Sequence, residues 1–195
     1  MGGHMCDSAR GYFAAMSAQL AHLNHELIDA YATMIFEAWR ERRAVFVFGN
    51  GGSAFTASHH VCDYVKTAAV PDHPRLKAFS LVDNTGMTTA IGNDIGYEDT
   101  FVHILESYAA PGDLAVAISC SGNSPNVVRA AEWAIANGLT LVALTGFGGG
   151  KIAHMADLHI NVPSENYGVV EDLHMSIGHV AAQALHQQII ELQNE

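Results

Sequence analysis

The stretch GNGGSAFTASHH, residues 49–60, decides how the rest of the chain is interpreted. A glycine-rich turn is followed by a run typical of a helix, which ends in two adjacent histidines. Glycine lets a backbone approach a ligand closely, and a helix N-terminus offers unpaired N–H groups with a partial positive charge. The stretch is therefore compatible with an anion cradle at the start of a helix that also carries imidazoles, but a Gly/Ser turn before a helix is also a common cap.

The residues just before this stretch, AVFVF at 44–48, form a short continuous apolar run. Short apolar strands that alternate with helices are typical of a parallel sheet covered on both faces. Helical patterns separate the first run from four similar ones: KAFSLV (77–82), DLAVAIS (113–119), LTLVALT (139–145) and DLHINV (157–162). We therefore predict an α/β fold, a three-layer sandwich around a five-stranded parallel sheet.

Long helical patterns lie near both ends of the chain. Residues 9–42 contain no proline and place apolar residues three and four apart, which predicts a long helix or two helices in line. This N-terminal stripe faces either the core or another copy of the chain, and the pattern favours neither. A final helix is predicted from about 168 to 192. The apolar positions are Phe13, Met16, Leu20, Leu23, Leu27, Met34 and Ile35 in the first pattern, and Leu173, Ile177, Val180, Leu185 and Ile189 in the last.

Length and composition bound the possible functions. The 195 residues are 49% apolar and only 15% charged, which favours one domain whose surface is partly covered by copies of itself. A formal charge of −11 disfavours nucleic acid as a direct partner. No apolar run approaches the roughly 18 residues that span a bilayer.

The cysteines and the first residues add two expectations. Cys6, Cys62 and Cys120 are an odd, widely spaced set, which indicates a reducing cytoplasm rather than a disulfide framework. The chain opens with MGGHM, so we expect residues 1–8 to be a tag remnant and a disordered start, and residues 9–195 to form the single domain.

A second loop, SCSGNS at 119–124, follows the third predicted strand as GNGGS follows the first. Ligands of open parallel sheets bind beyond the carboxyl ends of the strands. Neither loop fits a dinucleotide or nucleoside triphosphate fingerprint. Hydroxyl donors add no charge, so an acidic protein can bind a phosphate ester through such loops. The predicted binding residues are Asn50, Gly51, Gly52, Ser53, Ser119, Ser121 and Ser124.

A set of histidines and carboxylates could hold a metal ion. His59 and Asp63 are four apart and share a helix face, while Glu171 and His179 are close to two turns apart on the last helix. Imidazole nitrogen with carboxylate oxygen suits zinc. The chain has 12 histidines, however, and spacing alone makes packing or surface exposure the commoner role for any one of them.

Four segments together resemble the SIS (sugar isomerase) fold: GNGGSA…ASHH, AIGNDIGYE (90–98), ISCSGNSPNVV (118–128) and LTGFGGG (144–150). They are most similar to the phosphoheptose isomerase branch, which interconverts sedoheptulose 7-phosphate and the manno-heptose 7-phosphate. The likeness runs from about residue 10 to the C-terminus. It implies that the serine-rich loop, with Ser53, holds the sugar phosphate, and that the protein is a homotetramer with active sites at subunit interfaces.

The resemblance also implies roles around a zinc ion. The family carries His and Glu in the earlier helix and Gln and His in the last, at positions matching His59, Asp63, Glu171 and His179. Asp thus replaces Glu, and Glu replaces Gln. By resemblance, Asp63 and His179 are the acid/base pair for proton transfer through an enediol, while the metal polarises the oxygens. Asp94 is a candidate for sugar hydroxyls or the ring oxygen, with a helix cap as its alternative role.

Two other functions stay open on the sequence. One is a non-catalytic SIS module such as the DnaA initiator-associating protein, a tetramer that bridges initiator molecules. The other is a sugar-phosphate sensor without turnover, which the residues at Asp63 and Glu171 leave possible. The first resembles these isomerases but lacks the metal-site histidine near its C-terminus, so the presence of both His59 and His179 favours an enzyme.

Overall fold

The computed structural model describes residues 5–193, so the first four residues of the predicted tag remnant lie outside the described residues. Five strands form one parallel sheet: β1 (Ala44–Gly49), β2 (Lys77–Ser80), β3 (Leu114–Ser119), β4 (Thr140–Gly146) and β5 (Leu158–Val162). Their order is β2-β1-β3-β4-β5. This confirms the predicted five-stranded parallel sheet, although β2 ends two residues earlier than predicted.

Helices cover both faces of the sheet. They are α1 (Ala9–Leu20), α2 (His25–Arg40), α3 (Gly52–Cys62), α4 (Thr85–Asp94), α5 (Thr100–Tyr108), α6 (Pro125–Ala136), α7 (Gly150–Ala153) and α8 (Tyr167–Gln193). A π-helical turn, Asp63–Thr67, continues α3, and a short 3₁₀ helix, Tyr97–Asp99, precedes α5. Helices α2, α3 and α8 pack on one face, and α5 and α6 on the other, which gives the three predicted layers.

Side chains of each inner strand alternate between the two faces. Val45 and Val47 of β1 join the core beneath α2 and α8, whereas Phe46 and Phe48 join the core beneath α5 and α6. Successive residues of a strand point to opposite faces, so a strand covered on both sides must be apolar throughout. This requirement explains the continuous apolar runs that predicted the sheet.

The N-terminal pattern forms two helices with different environments. The Asn24 side chain accepts a hydrogen bond from the Leu27 N–H at 3.2 Å and so caps a new helix, α2. Ile35 of α2 is fully buried, but Phe13 and Leu20 of α1 are 61% and 45% exposed. The α2 part of the stripe therefore faces the core, while these α1 side chains face outward.

The long helix α8 confirms most of the predicted apolar face. Leu173, Ile177, Leu185 and Ile189 are buried, but Val180 is 43% exposed, so its predicted place on that face was wrong. Consecutive residues of a helix are about 100° apart, and the neighbouring Ala181 takes the buried position. Among residues 5–193, no helix has both the length and the apolar character that a membrane span needs.

Candidate functional site

A cavity of about 570 Å³ lies at the carboxyl edge of the sheet, where the loops after β1 and β3 meet. Both loops contribute the side chains that the sequence predicted: Asn50, Ser53, Ser119, Ser121 and Ser124 all line it. The residues that the structure places around this cavity include no lysine or arginine. A ligand here must be held by neutral donors and helix dipoles.

The serine hydroxyls are held in place and still have a proton to donate. Ser119 Oγ accepts the Gly122 N–H at 3.2 Å, and Ser121 Oγ accepts the Asn123 N–H at 3.3 Å. A hydroxyl that accepts a bond keeps its own O–H. Ser124 is the N-cap of α6, yet its side chain makes no capping bond, so its hydroxyl is not used by the helix. The loop can thus offer several donors to one anion.

The start of α3 provides the other side of the cradle. Its N-cap is Gly51, which has no side chain to cap the first turn. First-turn N–H groups have no partner within their helix and carry the positive end of its dipole. Gly52 leaves room for the Glu171 carboxyl group, which lies where a Cβ at position 52 would be. The Glu171 side chain therefore reaches the start of α3.

A second cluster lies further along α3, where His59, Asp63 and His179 come together. Asp63 Oδ2 is 3.4 Å from His59 Nε2 and 3.5 Å from His179 Nε2, and the two imidazole nitrogens are 3.1 Å apart. Ligands about 2.0–2.1 Å from a tetrahedral zinc ion lie about 3.3 Å from one another. These three atoms therefore fit three corners of such a site, with the fourth open.

Two buried histidines hold together the helices that carry this cluster. His60 Nε2 donates to the His174 carbonyl at 3.1 Å, and His174 Nε2 donates to the Thr145 carbonyl at 3.0 Å. Burial lowers the pKa of each imidazole to about 4, so both are neutral at pH 7. The His60 ring also occupies the space where a Cβ of Gly178 would lie. Helices α3 and α8 thus meet one residue away from both histidines of the cluster, His59 and His179.

Glu171, predicted as a fourth metal ligand, lines the cavity at the sheet edge and lies outside the cluster of three among the described residues. Burial raises the pKa of its carboxyl group, and the neighbouring Asp172 raises it further. The spacing on α8 was correctly interpreted as about two turns, but those turns separate Glu171 from His179 along the helix. Within one chain, the two residues serve adjacent parts of the site.

Asp94 does not line the cavity. It is the last residue of α4, it is exposed, and its carboxylate accepts a bond from the Asn93 side chain at 2.7 Å. The alternative role as a helix cap is also not seen, because Ile95 is the C-cap of α4 and Gly96 is the N-cap of the following 3₁₀ helix. The nearby residue that reaches the cradle is Tyr97, whose hydroxyl donates to Asn50 Oδ1 at 2.8 Å.

The cysteine beside the cradle is not an activated nucleophile. Cys120 is buried, and burial with the nearby Glu171 raises the pKa of its thiol to about 11. A buried thiol that is neutral at pH 7 fits a packing role for Cys120. Sequence reasoning missed three residues that hold site side chains in place: Thr67, which donates to Asp63 Oδ1, and Tyr97 and Asn126, which both donate to Asn50 Oδ1. The last two lie in the family-like segments, but neither belongs to a pattern of chemical groups.

Comparison with known proteins gives consistent results. The SIS domain family matches residues 11–146. The phosphoheptose isomerase of Chlorobaculum tepidum is 34% identical over 180 residues, 91% of this chain and 86% of that protein. That of Aneurinibacillus thermoaerophilus is 37% identical over 84% of this chain and 82% of that protein. The structure of the Neisseria gonorrhoeae phosphoheptose isomerase superposes with a TM-score of 0.84 at 29% identity, covering 90% of this chain and 95% of that one.

Proposed function

This chain belongs to the SIS-domain family and, within it, to the phosphoheptose isomerases, and we propose that it converts sedoheptulose 7-phosphate to D-glycero-manno-heptose 7-phosphate. It is an aldose–ketose isomerase, as are the relatives that it matches over most of their length. The departure at Asp63 is compatible with this activity, because Asp63 still lies within ligand distance of His59 and His179.

The main support for the proposal is that one helix contributes both to the cavity and to the cluster of possible metal ligands. Helix α3 presents Ser53 to the phosphate cavity, and His59 follows six residues later in the metal-type cluster. Six residues of helix are about 9 Å long. A seven-carbon sugar phosphate has its phosphate on C7 and its reacting carbons, C1 and C2, at the other end. The residues that hold the phosphate and those that transfer protons must therefore be separated by such a distance.

Asp63 and His179 are the proposed acid/base pair. One takes a proton from C1 of the ketose while the other protonates the C2 oxygen, which gives an enediol. The C1 hydroxyl then loses its proton and C2 gains one, which gives the aldose with no net gain or loss of electrons. The two groups lie 3.5 Å apart, so both can reach adjacent carbons of one bound substrate.

His59, Asp63 and His179 are the proposed ligands of a zinc ion, and the 3.1–3.5 Å spacing of their atoms supports it. A bound divalent cation would polarise the carbonyl and hydroxyl oxygens and stabilise charge that develops on them. Glu171, the fourth predicted ligand, lies outside this set of three within one chain and lines the adjacent cavity. Asn50, Gly51, Gly52, Ser53, Ser119, Ser121 and Ser124 are the proposed phosphate ligands, and Asp94 stays a candidate sugar contact only if the chain assembles.

Assembly is part of the proposal. We propose that residues 9–195 form one SIS domain and that four copies associate in the cytoplasm, with sites at their interfaces. The exposed apolar side chains of α1 and Val180, next to His179, support an interface beside the candidate site.

Turnover of sedoheptulose 7-phosphate by zinc-loaded protein, followed by NMR, tests the proposed function. We expect conversion by the parent protein and its loss in His179→Ala. His186→Ala, two turns further along α8, is the matched control that should keep the activity. Binding of the sugar phosphate without conversion by the parent would contradict the isomerase assignment and support a sensor. Absence of both binding and conversion would favour a protein-bridging module.

A further inference from the structure

A hydrogen-bonded network behind the cradle joins its two loops. Asn50, after β1, and Asn126, in the first turn of α6, exchange two bonds. Asn50 Nδ2 donates to Asn126 Oδ1 at 2.7 Å, and Asn126 Nδ2 donates back to Asn50 Oδ1 at 2.9 Å. The Tyr97 hydroxyl donates to the same Asn50 oxygen at 2.8 Å. Three separate segments of the chain therefore meet at one side-chain amide.

A backbone group fixes the orientation of both amides. Asn126 Oδ1 also accepts the Val127 N–H at 3.0 Å. A backbone N–H can only donate, so this atom of Asn126 must be its oxygen, and the other must be its NH₂ group. The Asn50 atom that faces this NH₂ group is then its carbonyl oxygen. Asn126 is 1% exposed, so water does not compete for these bonds.

The network uses all but one of the hydrogen-bonding positions of Asn50. A side-chain amide has two N–H groups and two acceptor lone pairs. Tyr97 and Asn126 take both lone pairs of Asn50, and Asn126 takes one N–H. One N–H remains, and Asn50 lines the cavity.

We infer that Tyr97 and Asn126 are positioning residues that make Asn50 present a single N–H donor, and no acceptor, to the phosphate cavity. The cradle then selects a ligand oxygen that accepts, either on the phosphate or on the sugar. A freely turning amide would bind donors and acceptors alike. The inference rests on the cavity being the substrate site of the proposed function, and its test includes a ligand that is not turned over.

Tyr97→Phe removes only the hydroxyl that donates to Asn50. Because the Tyr97 side chain is 57% exposed, this loss should not disturb the fold. Calorimetry with inorganic phosphate should show a dissociation constant roughly threefold to tenfold higher, as expected for the loss of one hydrogen bond. KM for sedoheptulose 7-phosphate should rise by a similar factor while kcat changes less than twofold. Tyr108→Phe, at the exposed end of α5, is the matched control and should change neither quantity.

A double-mutant cycle separates positioning from a general structural effect. If Tyr97 acts through Asn50, the double variant Asn50→Ala/Tyr97→Phe should bind phosphate no more weakly than Asn50→Ala alone. Additive losses would overturn the inference, as would unchanged phosphate affinity together with unchanged KM in Tyr97→Phe. A raised KM with unchanged phosphate affinity would support positioning and assign the N–H to a sugar oxygen. A parent protein without turnover would defeat the proposed function, yet the phosphate titrations would still decide the role of Tyr97.

Discussion

Asp63 completes the candidate metal site although its side chain is shorter than the glutamate that the resemblance implies. Its Oδ1 accepts a hydrogen bond from Thr67 Oγ1 at 2.9 Å, and its Oδ2 faces the imidazoles of His59 and His179. Both Asp63 and Thr67 belong to the π-helical turn that continues α3. Such turns are frequent at functional sites. Here the turn contains both the carboxylate and the hydroxyl that orients it.

Thr67→Val should weaken metal binding without unfolding the protein, because Thr67 is exposed and valine has the same shape. Loss of a partner that orients a metal ligand costs roughly tenfold or more in affinity. We expect a zinc affinity about tenfold lower, measured by competition with a chromophoric chelator. Thr67→Ser keeps the hydroxyl and should restore the parent value. Equal affinities in the valine and serine variants would contradict the orienting role.

Glu171→Gln should strengthen binding of inorganic phosphate. The carboxylate lines the cavity that we propose binds phosphate, so at neutral pH its negative charge should repel the anion that the neutral donors hold. We expect roughly threefold to tenfold tighter binding at low salt, and a smaller gain at high ionic strength, where charges are screened. Calorimetry at two salt concentrations measures both effects. Unchanged phosphate affinity with weaker zinc binding would instead place Glu171 among the metal ligands.

At the level of secondary structure, α3 with its π-helical turn and α8 carry the cluster of His59, Asp63 and His179, and the buried neutral histidines His60 and His174 join these helices. Burial holds the pKa of His174 at about 4, against 6.5 for the exposed group. The unfolded chain therefore binds more protons than the folded one as the pH falls below 6.5. The stability from neutral His174 is complete above pH 6.5 and is lost progressively as the pH falls toward 4.

Urea unfolding at pH 7, 6 and 5 should show this loss, with a slope of up to about 1.4 kcal/mol per pH unit from one histidine. His174→Gln can still donate to the Thr145 carbonyl but does not titrate, so its unfolding free energy should vary less steeply with pH. His154→Gln, at an exposed position, is the matched control and should keep the parent slope. Parallel slopes for the parent and His174→Gln would show that His174 does not control acid stability.

The sheet was predictable because a strand covered on both faces must be apolar at consecutive positions, which gives a continuous apolar run in the sequence. The buried face of a helix is marked only by apolar residues three or four apart, which is a weaker signal. Val180 follows the same spacing as its buried neighbours, yet Ala181 occupies the core position beside it. The break between α1 and α2 depends on one capping side chain, Asn24, and local sequence allowed one helix or two. Strands were thus better determined by sequence than helix faces and ends.

For the whole molecule, the sequence was a better guide to which residues belong to the candidate site than to which of them lie next to one another. The placement of Ser53 and Ser121 in one cavity followed from the rule that strand ends meet at one edge. The division of Glu171 and His179 between two parts of the site did not follow from spacing, because it depends on where α8 crosses α3. The support from Tyr97 and Asn126 requires three distant segments to meet and has no local pattern.

The last prediction concerns assembly. A groove of about 350 Å³ lies between α2 and α8, and its apolar lining includes Leu20, Leu23, Ile28, Ile177 and Val180. An isolated chain would leave this apolar surface in water beside His179. We therefore expect sedimentation to give four times the 20.8 kDa mass of one chain. Leu20→Lys should shift the protein to smaller species, since it places a charge in the groove.

Ile135→Lys is the matched control for this assembly test. Ile135 is 43% exposed and Leu20 45%, but Ile135 lies on α6, across the sheet from the groove. The control should therefore stay tetrameric, with the same turnover as the parent. If the sites lie at the interfaces, Leu20→Lys should lose turnover in proportion to its dissociation and regain it at higher protein concentration. A monomeric parent with full turnover would refute assembly, and equal dissociation of both variants would place the interface elsewhere.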